Sequence, residues 1–306
     1  MTGGHDAPVG IADRLRILPQ HLLPQHFLSR QLHAIMRWRC RPWKEAVIRW
    51  FIRHYDVEMD CALHADPSAY EHFNAFFTRP LRPDARRWSD TYGVVGCPVD
   101  GRVSRIGQLT GESMIQAKGR DYSLHDLLGG DRELVSELAD GCYCTLYLSP
   151  RDYHRIHMPL DGRLRRMIYL PGRLYAVNPV TASVVTDLFA ANERVVNVFS
   201  TEAGTMAVIM VGAIFVGSME TVWAGRITPP YGARAVVRDY ADKPIELRRG
   251  EEMGRFNMGS TVILIFGPGR AHWSSALADG TPVRLGFDLG SVISDGADGA
   301  GIRADR

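Results

Sequence analysis

After Pro83 the chain is built from short β-prone segments separated by Gly, Asp and Pro, and this succession constrains the fold more than any other feature. Such spacing predicts strands joined by tight turns. We expect strands at 94–97, 102–106, 142–148, 163–169, 194–199, 206–216, 221–227, 234–240 and 261–266. Helical pieces are expected near 124–128 and 182–192, so strands dominate this part of the chain.

The region before this succession has a helical pattern instead. Over residues 11–78 apolar side chains recur at spacings of three and four, most clearly at Ala46, Val47, Trp50, Phe51 and Tyr55. Three prolines, Pro19, Pro24 and Pro42, divide this region into short helices. The sequence Asp66-Pro67-Ser68 is typical of a helix start and predicts a further helix through Phe77.

Helices followed by a run of strands predict an α+β fold, with an N-terminal helical layer and a mostly antiparallel β barrel or sandwich. We therefore divide the chain into a helical, membrane-associating region at 1–80 and a β-rich catalytic domain at 81–293. The Gly-, Asp- and Ala-rich tail at 294–306 is expected to be disordered.

Composition narrows the class of protein. The chain is 45% hydrophobic and 23% charged, with a net charge of +2, which is typical of a globular protein and gives no reason to expect nucleic-acid binding. Its five cysteines are odd in number and form no CxxC pair, so we expect reduced thiols in a cytosolic protein. The longest apolar stretch, Met206 to Gly217, falls short of the about 20 residues that a membrane-spanning helix needs.

Positive charge is concentrated near the N-terminus. Between Arg14 and Arg53 there are eight Arg and one Lys against a single acid, Glu45. Aromatic residues are interleaved with them: Phe27, Trp38, Trp43, Trp50 and Phe51. Basic and aromatic residues on short helices suit a position at a membrane surface. The alternative is a set of helices packed on the catalytic domain, with solvated arginines.

The dipeptide Gly259-Ser260 precedes an apolar strand. Taken alone, it is typical of a turn. It also has the features of a self-cleaving bond, because glycine leaves its carbonyl unhindered and the following hydroxyl is placed to attack it. Such an attack converts the peptide into an ester, and elimination followed by hydrolysis leaves a pyruvoyl group on the new N-terminus.

A hydroxyl nucleophile needs a base, and the segment 149–159 offers His154 and His157. Two histidines three residues apart are also possible metal ligands, but no Cys, Asp or Glu set has a matching spacing, so we expect no metal. Asp100 is a candidate for the acid that orients a histidine, and Asp152 and Asp161 are rivals. Spacing does not decide among them.

Together these segments resemble the phosphatidylserine decarboxylase family. The most specific match is LSPRDYHRIHMP at 148–159. Further matches, in the same order along the chain, lie at 71–87, 98–101, 115–119, 122–124, 192–194, 216–225 and 254–256. The cut site of the family is most often Leu-Gly-Ser-Thr, and here Met258 replaces the Leu with an apolar residue of similar volume.

The resemblance implies a role for each matching residue. Ser260 becomes the pyruvoyl group, the covalent cofactor, after cleavage from Gly259. His157 and Asp100 match the positions that activate this serine, and His154 matches the histidine associated with decarboxylation. Cleavage would give a β subunit, residues 1–259, and an α subunit, residues 260–306, which stay together without a covalent bond.

The resemblance also implies the reaction. The pyruvoyl carbonyl forms a Schiff base with phosphatidylserine, withdraws electrons as carbon dioxide leaves, and releases phosphatidylethanolamine. The substrate lies in an anionic membrane, so we expect peripheral attachment to the cytoplasmic face of the cell membrane, and the family suggests a homodimer. The alternatives are a serine-type hydrolase that uses Ser260, His157 and Asp100 on external substrates, and a non-catalytic lipid-binding protein.

Overall fold

The computed structural model describes residue 20 and residues 23–117, 120–214, 218–257 and 261–293. Within these residues the protein has an α+β fold, as predicted, with helices first and strands after them. The expected disordered tail at 294–306 lies outside the described residues. No helix among the described residues is long and apolar enough to cross a membrane.

Short helices form the N-terminal layer and recur between strands. They are α1 (Gln25–Ile35), α2 (Arg41–Tyr55), α3 (Phe73–Phe77), α4 (Leu124–Leu127), α5 (Arg132–Leu138), α6 (Pro179–Val184) and α7 (Leu188–Ala191). Helix α2 has a proline in its first turn, where no backbone N–H is required. It ends at Asp56, whose left-handed backbone stops the helix.

The helix predicted from Asp66 through Phe77 is wrong in its extent. The structure has a 3₁₀ turn at Pro67–Ala69 and then the separate helix α3. Each piece has its own N-cap: the Asp66 carboxylate accepts from the N–H of Ser68, and the His72 ring accepts from the N–H of Ala75. Two competing caps in one short segment therefore divide the helix.

Eighteen strands occur among the described residues. They are β1 (Val94–Gly96), β2 (Gly101–Gln108), β3 (Ser113–Ala117), β4 (Arg120–Ser123), β5 (Cys142–Tyr147), β6 (Arg155–His157), β7 (Gly162–Leu170), β8 (Arg194–Thr201), β9 (Gly204–Val211), β10 (Met219–Thr221), β11 (Gly225–Arg226), β12 (Val236–Asp239), β13 (Glu246–Leu247), β14 (Glu252–Phe256), β15 (Thr261–Phe266), β16 (Ala271–Trp273), β17 (Pro282–Val283) and β18 (Asp288–Val292).

The main sheet runs in the order β12-β7-β8-β9-β15-β5-β2-β17, with β13 also paired to β7. Smaller sheets have the orders β1-β18-β16, β11-β10-β14-β6 and β3-β4. Pairing between these strands is antiparallel throughout. Of the two predicted architectures, the layered sandwich is confirmed, because no closed barrel forms among the described strands.

Strand β15 lies at the centre of the main sheet, between β5 and β9, and every residue of it is buried. Successive side chains of a strand point to opposite faces. Val262 and Leu264 accordingly pack into a core shared with the sheets β1-β18-β16 and β11-β10-β14-β6, whereas Ile263 and Ile265 pack into a second core against α4–α7. The chain that follows the predicted cut is thus held on both edges and both faces.

Several sequence predictions need correction at their bounds. The strand expected at 206–216 ends at Val211, and the one expected at 221–227 is replaced by the two short strands β10 and β11. The helix expected at 182–192 is divided into α6 and α7 by Asp187, whose φ is positive. Strands β3, β4, β6, β13, β14 and β16–β18, each of five residues or fewer, were not predicted from the sequence.

The helical layer has its own aromatic core. Its fully or nearly buried members are Ile48, Phe51, Val57, Tyr70, Phe73, Phe76 and Phe77. The Lys44 ammonium is buried and donates to the carbonyls of Ser68 and Tyr70, which ties α2 to the 3₁₀ turn. Side chains also join the layer to the sandwich: Asn74 donates to Asn257 at 2.8 Å. The division into domains at residue 80 stays a prediction.

Candidate active site

His154 immediately precedes β6, and His157 is the last residue of that strand. A tight turn comes before both histidines. Asp152 holds this turn, because its carboxylate accepts from both the N–H and the hydroxyl of Ser149, at 2.7 and 2.6 Å. Strand β6 then pairs with β14, and the N–H of Phe256 donates to the carbonyl of His154. The histidine segment is therefore bound to the strand that leads directly toward residues 258–260.

The ring of His157 has a partner on each nitrogen. Nδ1 lies 2.7 Å from the carbonyl of Gly250, and because a carbonyl only accepts, Nδ1 carries the proton of the neutral ring. Nε2 is then an acceptor, and the Tyr153 hydroxyl donates to it at 3.0 Å. Burial lowers the pKa of His157, opposed by the Gly250 hydrogen bond. His157 is thus a neutral base with its lone pair on Nε2.

His154 is fully buried, and its ring centroid lies 4.1 Å from that of Phe77. Nδ1 donates to the carbonyl of Asp152 at 2.8 Å, which leaves the lone pair on Nε2. Among the described residues nothing hydrogen-bonds this Nε2. Burial, with a smaller contribution from the nearby Arg79 charge, lowers the pKa of His154 to about 3, although the hydrogen bond to the Asp152 carbonyl opposes this shift. An unpartnered buried nitrogen of this kind is costly unless a ligand uses it.

Asp100 lies at the start of β2 and is paired with Arg86 rather than with a histidine. The Arg86 guanidinium donates to both carboxylate oxygens, from Nε at 3.1 Å and from Nη2 at 2.5 Å, and the N–H of Leu285 donates at 2.8 Å. Burial would lower the pKa of Arg86, but the hydrogen bonds and charge of Asp100 outweigh it and raise that pKa. Asp100 is therefore held in a fixed orientation by a bidentate ion pair.

No carboxylate contacts the His157 ring among the described residues, since the Gly250 carbonyl occupies Nδ1. Asp100 acts on His157 only through its charge, which tends to raise the pKa of that ring. Neither rival acid contacts the ring: the Asp152 carboxylate accepts from Ser149, and the Asp161 carboxylate accepts from the N–H of Arg249 at the surface. The structure thus brings Asp100 and His157 into one neighbourhood without a direct hydrogen bond.

Gly259 and Ser260 lie outside the described residues, and so does Met258. The residues that flank them are described and well anchored. Asn257 accepts from Asn74 and donates to Ser218 and to Glu220, at 2.8, 2.8 and 2.9 Å. On the other side, Thr261 is buried as the first residue of β15.

A cavity of about 870 Å³ lies between the end of α2 and the sandwich. Asp100, Arg86 and Tyr153 line it, and Tyr153 is also the residue whose hydroxyl contacts His157. The helical layer contributes Ile52 and Val57 to its wall. This volume falls within the range of small-molecule sites, and the wall combines apolar side chains with charged groups of both signs.

Sequence reasoning missed three residues of this site: Arg79, Arg86 and Tyr153. All three lie inside segments that it had marked, 71–87 and 149–159, but only the folded chain shows what they contact. Arg86 reaches Asp100 across 14 residues, and Arg79 reaches the carbonyl of Arg151 across 72. No group of three or more His, Cys, Asp or Glu side chains that would suit a metal ion occurs in the described part of the chain.

The chain is similar in sequence to known proteins over most of its length. The family model described as phosphatidylserine decarboxylase matches residues 73–291, and a second, described as PSD, matches residues 15–56. A phosphatidylserine decarboxylase proenzyme of Pseudomonas fluorescens is 51% identical over 279 residues, which cover 90% of this chain and 97% of the relative. The corresponding proenzyme of Nitrosococcus oceani is 52% identical over 285 residues, 93% of each chain.

The first family model alone covers more than half of the chain, and it includes Asp100, both histidines and the predicted cut site. The relatives align over nearly their whole length, so the likeness is not confined to one motif. The chain belongs to the phosphatidylserine decarboxylase family.

Proposed function

We propose that this protein is a pyruvoyl-dependent phosphatidylserine decarboxylase, a lyase that matures by cutting its own chain between Gly259 and Ser260. The observation that carries the proposal is the buried His154, whose Nε2 has no partner among the described residues and whose backbone is bound to β14, the strand that leads to residues 258–260. The proenzyme names of its relatives agree with a chain that is processed after synthesis.

For maturation, His157 is the proposed base. Its Nε2 is unprotonated and accepts from Tyr153, so this nitrogen is able to take the proton of the Ser260 hydroxyl as that oxygen attacks the Gly259 carbonyl. The Gly250 carbonyl fixes the tautomer, a task that an aspartate performs in the familiar protease triad. Asp100 would contribute through its charge, which favours the imidazolium that forms.

The two subunits would remain associated after the cut. Strand β15 begins directly after the new N-terminus and is paired along its whole length with β5 and β9 of the other subunit. Its six residues are all buried. Loss of this strand would open the main sheet and expose both cores, so separation of the subunits would amount to unfolding.

The surrounding residues suit a pyruvoyl group derived from Ser260. Two buried polar atoms near this point of the chain, Nε2 of His154 and the hydroxyl of Thr261, have no hydrogen-bond partner among the described residues, and they are the groups we expect to hold it. A pyruvoyl group supplies an electron sink for the decarboxylation. The hydrogen bond to Asp152 and the packing on Phe77 would keep the His154 ring in a fixed position while it transfers one proton.

The pKa of the His154 ring decides whether its Nε2 accepts or donates the proton. The low pKa of His154 means that its Nε2 is an acceptor in the free protein. A role as the acid that protonates the product carbon therefore requires that the ring first gain a proton. The negative charges of the bound lipid head group would favour this gain by raising the pKa of the ring.

Peripheral membrane attachment, at the cytoplasmic face of the cell membrane, is also part of the proposal. Large aromatic side chains are exposed on the helical layer: Phe27 by 59%, Trp38 by 56% and Trp50 by 52%. Several nearby arginines are held in ion pairs, such as Arg41 and Arg49 with Glu45. We therefore expect the exposed aromatic residues to contribute more to membrane binding than the arginines do. The cavity beside α2 would receive the lipid head group.

The homodimer suggested by the family resemblance remains a proposal as well. Strand β12 forms one end of the main sheet, and its residues are exposed, including Val236 and Val237. An exposed edge strand with apolar side chains is a surface that proteins often cover.

The test of this function compares Ser260→Ala with the wild-type protein on vesicles that contain phosphatidylserine. We expect wild-type protein to migrate as two chains and to release carbon dioxide, and Ser260→Ala to stay uncut and inactive. The matched control is Ser275→Ala, an exposed serine in the same predicted subunit, which should behave as wild type. An uncut wild-type protein that reacts with a serine-hydrolase probe would instead identify a hydrolase.

A further inference from the structure

We propose that Arg79 is the residue that binds the phosphodiester of the lipid head group, so that it selects a phospholipid over a free amino acid; this inference rests on the proposed function. Arg79 follows α3 in the helical layer and lines the cavity together with Asp100 and Tyr153. The sequence alone gave no role to it.

The first observation is an unsatisfied buried cation. Arg79 is only 3% exposed. Its Nη2 donates to the carbonyl of Arg151 at 3.3 Å, and its Nε has no partner among the described residues. No ion pair of Arg79 with a carboxylate occurs in that part of the chain either. A guanidinium has five N–H donors, and the bond to Arg151 is the one hydrogen bond found for Arg79 within the described ranges.

The surroundings explain why the charge is tolerated but not satisfied. The guanidinium carbon lies 5.5 Å from the centre of the Phe76 ring, a favourable contact for a cation. Burial lowers the pKa of Arg79, while the neighbouring Cys61, Tyr70 and Asp100 oppose that shift. Arginine stays protonated in proteins, so the burial cost is not relieved by loss of the proton. A ligand anion would relieve it.

Arg86 in the same cavity shows the contrast. Its guanidinium is also well buried, but both oxygens of Asp100 accept from it. A ligand would have to displace Asp100 to use Arg86, whereas no carboxylate among the described residues competes for Arg79. Arg79 also lies close enough to His154 to lower the pKa of that ring, so its ligand would lie beside the proposed reaction site.

The chemistry of the reaction decides which anion Arg79 binds. Phosphatidylserine carries a carboxylate and a phosphodiester. The carboxylate loses its charge as carbon dioxide leaves, so a cation on it would stabilise the starting state more than the transition state and slow the reaction. The phosphodiester keeps its charge throughout, and a cation there strengthens binding equally in both states. Arg79 is therefore assigned to the phosphodiester, where it lowers KM and leaves kcat alone.

The experiment compares cleaved wild-type protein with Arg79→Gln and Arg79→Lys on a short-chain, water-soluble phosphatidylserine. A charge-assisted hydrogen bond contributes about 1.5–3 kcal/mol, equivalent to roughly a 10- to 150-fold change in affinity. We expect Arg79→Gln to raise KM by about that factor with kcat within about threefold. The KM of Arg79→Lys should lie between those of the wild-type protein and Arg79→Gln, because lysine keeps the charge but loses the planar donor set.

A binding measurement adds a readout apart from activity. Glycerophosphoethanolamine carries the phosphodiester but no carboxylate, and calorimetry gives its dissociation constant. We expect Arg79→Gln to weaken this binding by the same factor as it raises KM. The control is Arg163→Gln, an exposed arginine outside the cavity that donates to a backbone carbonyl, which should change neither quantity.

Three results would overturn the proposal. Unchanged binding of glycerophosphoethanolamine together with a higher KM would assign Arg79 to the carboxylate, and a lower kcat at constant KM would give it a role in the reaction itself. If neither variant folds, the wild-type protein decides: equal affinity for ethanolamine and glycerophosphoethanolamine would show that the phosphodiester is not bound. An uncut wild-type chain would refute the proposed function instead.

Discussion

The helical layer and the β sandwich differ in how completely they bury their apolar side chains. The sandwich fills both faces of its main sheet, so that strands such as β8 and β15 have almost no exposed residue. The layer, whose helices α1–α3 lie before residue 78, has one small aromatic core and leaves Phe27, Trp38 and Trp50 exposed. Isolated apolar side chains at a surface are ordinary, but three large aromatic ones on one short region indicate a partner surface.

This difference separates two tasks. The residues that we assign to self-cleavage and proton transfer lie in the sandwich, where burial shifts the pKa of both histidines. The layer supplies contact surface and one wall of the cavity, including Arg79. Changes in the sandwich should therefore alter chemistry without altering membrane binding, and changes on the exposed face of the layer should do the reverse.

The largest effect is expected for His157→Ala in the sandwich. Removal of a general base typically slows a reaction by 10²- to 10⁴-fold, so we expect the purified protein to stay almost entirely uncut while still binding anionic vesicles. Denaturing gels over time give the rate of cleavage. His272→Ala, which removes an exposed histidine of β16, is the control and should mature normally. Normal cleavage of His157→Ala would remove His157 from the maturation step.

A smaller effect, in the opposite pattern, is expected for the double variant Trp38→Ser and Trp50→Ser in the layer. Full burial of a large apolar side chain is favourable by about 1.5–3 kcal/mol relative to its exposure to water. A half-exposed aromatic side chain would gain part of this free energy when it enters a membrane surface. We expect vesicle binding to fall about tenfold or more in a flotation assay, with normal cleavage. Tyr92→Ser, at an 82% exposed residue of the sandwich, is the control. Unchanged flotation would place the membrane surface elsewhere.

The smallest effect concerns the pH dependence of stability. The pKa of His154 in the folded protein, about 3, lies below the value of 6.5 in an unfolded chain. The unfolded state therefore binds a proton first, and stability that is complete above about pH 6.5 is lost as the pH falls toward 3. One such group changes the free energy of unfolding by at most ~1.4 kcal/mol per pH unit.

Urea unfolding at several pH values between 7.5 and 4.5 measures this slope. We expect His154→Gln to reduce the slope in the sandwich. His33→Gln in the layer is the comparison, because burial and then Arg37 lower the pKa of His33 to about 4, yet this side chain is less buried than that of His154 and should contribute less. Equal slopes for wild type and His154→Gln would contradict the buried neutral state assigned to His154.

Much of the fold followed from the sequence because long strands carry their own signal. Strand β15 was predicted at its observed bounds, since six consecutive apolar or β-branched residues between turns leave little alternative. Strands such as β6 and β14 were missed because they are short and depend on pairing within a small sheet, β6 with β14 and β14 also with β10. The division of the helix after Asp66 was missed because the His72 cap depends on a ring orientation that the sequence does not show.

The site was predicted in its residue types but not in its contacts. His154, His157 and Asp100 stood out through motif and residue chemistry. The partners did not: Gly250 reaches the His157 ring across 93 residues, and Arg86 takes the carboxylate of Asp100 that a triad would direct at a histidine. Such choices depend on long-range packing, which spacing along a chain does not record.

Intact mass spectrometry of the purified protein tests the central claim most directly. We expect two chains, residues 1–259 and 260–306, with the smaller one beginning in a pyruvoyl group rather than a serine. The pyruvoyl terminus would also resist sequencing from its N-terminus, because it has no amine. A single unmodified chain of 306 residues in a preparation that converts phosphatidylserine to phosphatidylethanolamine would contradict the account.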